Sequence, residues 1–556
     1  MGSLGGSPVD VGEILEVVRG LHSPGVLKAL STIDLRGSSG KARVDVLAVW
    51  KRFPPGVKTY ERELRGADLF ILAVDRGLFE RDVREGFLGE VVAGRLLAPY
   101  RGLLGVDYLW RWEILFKRRK ATEALTSLAL EYPQLSSEIL IEPRYFLFEN
   151  LRRMTRIYPP ISSIYQGFMG EGGGEAVEVA MKGYREAMRE LVGEGCIHLK
   201  DGYVTLDRGF VEKALRRRFR AISFLRMVER ALRSYLIRGF QGVVELLDFS
   251  LEMAGQLGKE LIGERDRVRM EDPKRFLHLS TTLGTISLTE RTGIEDFIRR
   301  VKPLGEVSEF RMERSGGVLN EVYVLYFRRD GGEERALVKK YQNWIGFKWF
   351  PLALWTLGTQ DFAVLGRSRL EREYTINSLL HREGYPVPSI YHVDLNRRLL
   401  IREFIEGESL VETVKEVLSR GVEDGSGWQL RRLGEIIAGV HGLGVSIGDS
   451  KPENFIASPG GEIYLIDLEQ GAHKGNRAWD LAEFLYYSGH YASLLTDLDH
   501  VADLAKAFIE GYLKGGGEVG VVEDVAGLQY TRVFSLFTLP QVIYTISKTC
   551  REALRH

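Results

Sequence analysis

The sequence predicts a multidomain chain of mixed α/β and α+β class, and three observations lead there. At 556 residues it is too long for one hydrophobic core, because single domains run to roughly 100–200 residues. Its texture changes along its length, from aliphatic strand-like runs to helical periodicity, then to strands again and finally to helices. Its composition, 44% hydrophobic and 27% charged, is that of a folded globular protein and excludes wholesale disorder.

The 76 Lys and Arg residues balance 76 Asp and Glu. Overall charge therefore supplies no attraction to nucleic acid or acidic lipid, and any such contact has to come from a local patch. Two cysteines, Cys196 and Cys550, exclude a disulfide framework and a four-thiolate metal site, which favours a reducing cytoplasm. The first residues carry no basic stretch followed by an apolar run, so no secretory signal is expected, and Gly6 stands where a myristoylation pattern wants Ser or Thr. The apolar stretch from Trp344 to Gly358 contains Lys348 and Pro351 and falls short of the roughly 18 residues needed to span a bilayer. No transmembrane segment is expected.

Four regions follow in order. Residues 1–165 open with two aliphatic runs, 42–50 and 67–75, which read as strands of one sheet. Helical spacing takes over after Phe79 and continues to about residue 160, so the region reads as an α/β domain with a helical extension. Gly170 to Gly174 is a candidate joint. In residues 166–235 an amphipathic helix over 175–195 leads into two short strands joined at Asp201-Gly202, a favoured hairpin turn. A helix feeding a two-stranded wing resembles a winged helix. The stretch from Val211 to Arg233 is rich in Lys and Arg, making residues 175–235 the candidate nucleic-acid contact, although Glu212 and Glu229 also suit a solvated helix. Residues 236–304 read as a helical connector, and residues 305–556 as strands, helix, strand and a helical C-terminal extension.

The chemistry concentrates in Asp449, Ser450, Lys451, Pro452, Glu453 and Asn454, followed by an apolar strand ending at Asp467. Phosphoryl transfer needs a carboxylate that accepts the proton of the attacking hydroxyl and oxygen ligands for magnesium. On this reading Asp449 is the base, Asn454 and Asp467 are the metal ligands, and Lys451 offsets charge on the transferred group. No histidine pair has ligand spacing, and His441 reads as packing beneath the loop.

These motifs resemble those of the atypical protein-kinase-like superfamily, specifically the archaeal RIO-type and KEOPS-subunit-like kinases. The resemblance covers residues from about 305 to 500 and implies a two-lobed domain using ATP and Mg2+. It assigns Gly316 and Gly317 to the phosphate-covering hairpin, and Lys339 or its neighbour Lys340 to the α and β phosphates, paired with Glu373 or Glu371. It assigns the backbone at Glu403 and Ile405 to adenine, and gives Asp480 the task of steadying the catalytic loop. Two positions depart from the pattern. Ile447 replaces the usual histidine, and Asp467-Leu468-Glu469 replaces Asp-Phe-Gly. No Ala-Pro-Glu motif follows, so peptide recognition is not implied. The segment from Trp344 to Gly366 reads as an insertion that fills an enlarged core or docks a partner.

Gly37-Ser38-Ser39 with Asp45 on the following strand resembles a nucleotidyltransferase-like opening, degenerate because only one carboxylate stands on that strand. The function expected is γ-phosphate transfer to a hydroxyl, of protein Ser or Thr or alternatively of RNA. An ATP-binding scaffold and an N-terminal nucleotidyltransferase are the remaining alternatives.

Overall fold

The computed structural model describes residues 10–22, 26–36, 42–53, 56–64, 67–155, 164–165, 168, 173–218, 272–289, 307–316, 320–329, 332–342, 363, 365–493, 496–535 and 538–552. Outside them lie Gly37 to Ser39, the start of the glycine-rich joint, the basic stretch beyond Arg218, Gly317, the connector apart from residues 272–289, and nearly all of the Trp344 to Gly366 segment. The chain forms two compact units, Met1–His278 and Leu279–His556.

The first unit begins with α1 (Val11–Gly20) and strands β1 (Leu27–Arg36), β2 (Ala42–Trp50), β3 (Val57–Leu64) and β4 (Ala67–Asp75). With β5 (Arg101–Leu104) they form a sheet of order β3-β4-β2-β1-β5, in which β2 and β4 run parallel and the other pairs antiparallel. Alternation places Val44, Val46, Ala48 and Trp50 with Leu69, Ile71 and Ala73 on one face, where α1 adds Ile14 and Val18. Leu47, Val49, Leu72 and Val74 are buried on the other, so the central strands read as near-continuous hydrophobic runs.

After α2 (Arg76–Glu85) the expected helical run is broken by β5, which pairs with β1. Four residues are too few to show a period, and Gly105 takes φ 63° at the turn out of the strand. Next come α3 (Val106–Glu131), β6 (Leu140–Ile141), α4 (Arg144–Met154), α5 (Gly173–Gly193), β7 (Ile197–Lys200), β8 (Tyr203–Leu206) and α6 (Arg208–Arg218). β7 and β8 form a hairpin whose turn residues Asp201 and Gly202 have φ 51° and 81°, the left-handed pair that suits a two-residue turn. β8 pairs with β6 through Val204 and Ile141. Leu277 and His278, at the start of β9 (Leu277–Thr281), pair with Ile141 and Leu140.

The second unit contains β10 (Gly284–Ser287), β11 (Val307–Gly316), β12 (Asn320–Arg329), β13 (Gly332–Tyr341), α7 (Gly366–Arg382), β14 (Ile390–Asp394) and β15 (Leu399–Glu403). An antiparallel sheet of order β11-β12-β13-β15-β14 buries Leu325, Phe327, Ala336, Val338 and Ile401. A mainly helical half follows. It holds β16 (Glu408–Ser409), α8 (Leu410–Arg420), α9 (Asp424–Gly442), β17 (Val445–Ser446), β18 (Phe455–Ala457), β19 (Ile463–Leu465) and β20 (Ala472–His473). The last helices are α10 (Arg477–Ser488), α11 (Leu498–Lys514), α12 (Val519–Val525), α13 (Leu528–Phe534) and α14 (Pro540–Glu552). No described helix is long and apolar enough to cross a membrane.

Local chemistry explains these helices. Ser409 caps α8 by accepting the Val411 N–H at 3.1 Å, and Glu423 with Ser426 forms a reciprocal capping box on α9. Along α11 the buried residues Val501, Leu504, Ala505, Phe508, Ile509 and Tyr512 recur at helical spacing and form one apolar stripe. α9 and α11 approach closely through two glycines. A Cβ on Gly434 would meet the Phe508 carbonyl, and one on Gly511 the Arg431 carbonyl. Gly511→Ala is expected to destabilise the chain by about 1–3 kcal/mol, the scale of overpacking a core, read as a lower midpoint in urea. A midpoint at or above that of wild type would show that the helices do not need this approach.

Candidate active site

The segment around Asp449 is held from below by α10. Asn476 caps this helix, accepting the Trp479 N–H at 3.1 Å, and the first turn points Asp480 at the loop. Asp480 accepts the N–H groups of Ile447 and Gly448, each at 2.7 Å, and lies 3.0 Å from His441 Nε2. His441 in turn places Nδ1 2.9 Å from the Tyr512 hydroxyl. One turn further along, Glu483 accepts the Ser450 N–H at 2.8 Å and the Trp479 indole N–H at 3.1 Å. Gly448 has φ 79°, and a Cβ there would strike the Gln470 carbonyl, so glycine is required.

With the backbone tied on both sides of it, Asp449 is presented from a fixed loop, its side chain partly exposed. Lys451 Nζ lies 2.8 Å from Asp449 Oδ1 and 3.9 Å from Glu483 Oε1. Asn454 donates through Nδ2 to the Asp449 carbonyl at 2.8 Å, and its own carbonyl accepts the Ile466 N–H at 3.0 Å. The loop and the strand leading to Asp467 are thereby joined.

Lys339 is the centre of a second group. In β13 it is buried while Lys340 points outward to Glu321 at 3.1 Å. Lys339 Nζ lies 2.8 Å from Glu373 Oε2, 3.0 Å from Asp467 Oδ1 and 3.0 Å from Glu469 Oε2. Glu371 instead meets Arg367 at 3.0 Å. Glu373 also receives the Tyr341 hydroxyl and lies 3.3 Å from Arg402, which donates to the Ile466 carbonyl. Glu469 binds Arg369 through Nε at 3.1 Å and through Nη2, and Asn320 at 2.8 Å.

Gly316 pairs with Val322, and Val322 with Lys339, so the three share one row across β11, β12 and β13. The Glu403 N–H donates to the Ser389 carbonyl at 2.8 Å, and its carboxylate accepts the Ser389 N–H at 3.0 Å. Ile405 is half-buried in the segment just beyond β15.

The charges respond to these surroundings. Burial opposes ionisation of Asp467, but Lys339 and Arg402 outweigh it and hold the carboxyl below its ordinary value. Burial and Asp467 push Glu469 up, against Lys339 and Arg369. Burial, reinforced by Asp449, drives Glu483 well above the usual carboxylate range. Burial favours the neutral amine of both Lys339 and Lys451, yet the carboxylates around them overcome it and keep both charged.

The donor set suits a hard cation. Glu373, Asp467 and Glu469 offer oxygens within 4.8 Å of one another. Glu373 and Glu469 are matched by arginines, whereas Asp467 is a quarter exposed and pairs only through Oδ1 with Lys339 and the Glu469 N–H among the described residues. Of these three carboxylates, Asp467 is the one with an oxygen left for a hard cation.

The N-terminal candidate is different. Asp45 is buried and held bidentately by Arg95 at 2.7 and 3.1 Å, and Asp75 caps α2 by accepting the Gly77 N–H at 2.7 Å. Both carboxylates are engaged in holding the fold together.

Comparison with known proteins shows kinase-like homology for part of the chain. No family model matches the chain. A protein of Archaeoglobus fulgidus described as "Probable serine/threonine-protein kinase BUD32 homolog" is 31% identical over 155 residues, 28% of this chain and 71% of that protein. The chain belongs to the Bud32-type atypical kinases. The "EKC/KEOPS complex subunit BUD32" of Gibberella zeae is 28% identical over 119 residues, covering 19% of this chain and 45% of that protein. A "Probable bifunctional tRNA threonylcarbamoyladenosine biosynthesis protein" of Methanocaldococcus jannaschii is 26% identical over 149 residues, covering 26% of this chain and 25% of that protein. The chain thus spans under half of the fungal relative and a quarter of the methanogen one. Against this Bud32-type background, Glu469, Arg369, Arg402 and Glu483 are site residues that motif reading passed over. The one signal available was Glu469 standing where the motif has glycine.

The raised Glu483 carboxyl sets a pH dependence. A folded-state value above the ordinary one, near 4.3, means that its contribution to stability is complete below that value and is lost as pH rises through the folded value. Glu483→Gln keeps an acceptor for Ser450 and does not titrate. Its thermal midpoint is therefore expected to exceed that of wild type at pH 8 and to converge with it near pH 4.5. A parallel offset at both pH values would contradict the assignment.

Proposed function

We propose that the second unit is an ATP- and magnesium-dependent kinase that transfers the γ-phosphate to a hydroxyl, of protein serine or threonine in the first instance. The observation that carries this reading is the presentation of Asp449 and Lys451 from a loop braced by Asp480 and Glu483, beside the Lys339, Glu373 and Asp467 cluster. It is supported by membership of the Bud32-type kinases.

On this reading Lys339 holds the α and β phosphates, Gly316 and Gly317 allow the hairpin to cover them, and the backbone at Glu403 and Ile405 meets adenine. Asp449 orients the acceptor hydroxyl and takes its proton as oxygen attacks the γ-phosphorus. The bond to the β–γ bridging oxygen then breaks and ADP leaves, while Lys451 offsets charge on the transferred group. Magnesium, held by Asp467 and Asn454, would neutralise phosphate charge. The first unit would recognise the acceptor or a partner, and the four regions 1–165, 166–235, 236–304 and 305–556 are the working division of the whole chain.

An RNA acceptor is the second reading. It is favoured by the relatives named for KEOPS complexes and for tRNA threonylcarbamoyladenosine biosynthesis, and by the helix and hairpin order from α5 to β8. A scaffold that binds ATP without transfer would show tight binding and no labelled product. A nucleotidyltransferase would release pyrophosphate from a site whose Asp45 is already bound by Arg95.

Label from γ-labelled ATP, with magnesium and either cell protein or total RNA, is expected to enter one pool. Asp449→Ala should lower transfer by about 10²–10⁴-fold, the scale of general-base catalysis. Asp467→Ala or chelation of magnesium should abolish it. Transfer that survives Asp449→Ala would reject the assignment of the base.

A further inference from the structure

The position that departs most from the kinase pattern supplies a third carboxylate beside the lysine. An ammonium has three hydrogens, and Lys339 faces three carboxylate oxygens, from Glu373, Asp467 and Glu469, none farther than 3.0 Å. Glu373 and Asp467 accept hydrogen bonds from it, and Glu469 faces it as an ion pair at 3.0 Å. Glycine at position 469 would remove that third charge and leave the ammonium freer to meet a phosphate.

Glu469 is also tightly held. Its Oε1 is gripped by Arg369, itself fully buried and bonded to the Gln342 carbonyl at 3.1 Å. Its Oε2 accepts from Asn320, the first residue of β12 after the hairpin tip. Around the site three carboxylates (Glu373, Asp467, Glu469) meet three cations (Lys339, Arg369, Arg402), so the pocket is neutral without any added ion. A metal-free nucleotide would bring several negative charges against a fixed carboxylate and a lysine already neutralised by three carboxylates. Asp467 is the member of the trio with partial exposure. If it turned to a cation, the hydrogen that Lys339 donates to it would be released.

We propose that Glu469 is a positioning residue that keeps Lys339 engaged until a divalent cation arrives with the nucleotide, so that the pocket discriminates metal-complexed from metal-free nucleotide. The proposal rests on the nucleotide-binding reading above.

ADP affinity of the full chain, measured by titration calorimetry with magnesium and with chelator, tests it. Glu469→Gln keeps an acceptor for Arg369. The double variant Glu469→Ala with Arg369→Met removes both charges, so that no buried ion is stranded. In both, metal-free ADP is expected to bind about tenfold more tightly than in wild type, the scale of one charge-assisted hydrogen bond. Magnesium-ADP should change by less than about threefold. Unchanged metal-free affinity in both variants overturns the proposal while leaving the kinase reading intact. A tenfold or greater loss of magnesium-ADP affinity would make Glu469 a metal ligand and also overturns it. Absence of ADP binding by wild type and variants alike removes the nucleotide-binding reading and the proposal with it.

Discussion

Burying Lys339 obliges the second unit to surround it. An ammonium withdrawn from water is tolerated only if it is paired and hydrogen-bonded, and its partners come from elements far apart in sequence. Glu373 is delivered by α7, and Asp467 and Glu469 by the segment after β19. Glu373 and Glu469 are buried in their turn, which draws in Arg369 from α7, Arg402 from β15 and the Tyr341 hydroxyl from β13. The sheet, the helix and the segment beneath are therefore tied at one point by charge. Removing a single partner leaves an uncompensated buried charge, which typically costs about 3–5 kcal/mol, so alternative packings of these elements are penalised.

The loop bearing Asp449 depends on the same physics on a smaller scale. Two carboxylates one turn apart on α10 take the N–H groups of Ile447, Gly448 and Ser450, donors that a tight turn cannot satisfy within itself. His441 and Tyr512 extend the brace into α9 and α11, which pack backbone to backbone at Gly434 and Gly511. The precision of the loop is thus inherited from helix packing behind it. The Ile447 position, which carries a histidine in conventional kinases, here contributes its N–H to Asp480, and the buried imidazole is His441.

In the first unit a buried carboxylate serves the packing of the sheet. Its strand carboxylate Asp45 is neutralised by Arg95 inside the sheet domain, a bidentate pair with fixed geometry. Beyond it, the run from α3 through β6, α4 and α5 to the β7–β8 hairpin closes a second small sheet through Ile141 and Val204. The charges on α5 are largely satisfied locally, as in the pairs Arg185 with Glu178 and Arg189 with Glu186. Basic residues on α6, such as Arg216, stay exposed.

By itself the sequence determined the elements whose signals are local. Alternating aliphatic residues marked β2 and β4, Asp201-Gly202 marked the hairpin, and the string from Asp449 to Asn454 with Asp467 marked the loop and its strand. The four-residue β5 was not legible, because so short a run has no period and exists only by pairing with β1. Alternation showed that Lys339 and Lys340 face opposite ways, but not which way is inward. That was decided by the covering of one face of β13 by α7, which also selected Glu373 over Glu371. Arg369 and Arg402 had no motif to announce them, and Glu469 was marked only by replacing a glycine, since their roles arise from electrostatic pairing across 29 to 130 residues of chain, from Glu373 with Arg402 through Arg369 with Glu469 at 100 to Lys339 with Glu469. Local propensity reaches only a few residues along the chain, whereas a buried charge is satisfied by whatever the fold brings within about 3 Å.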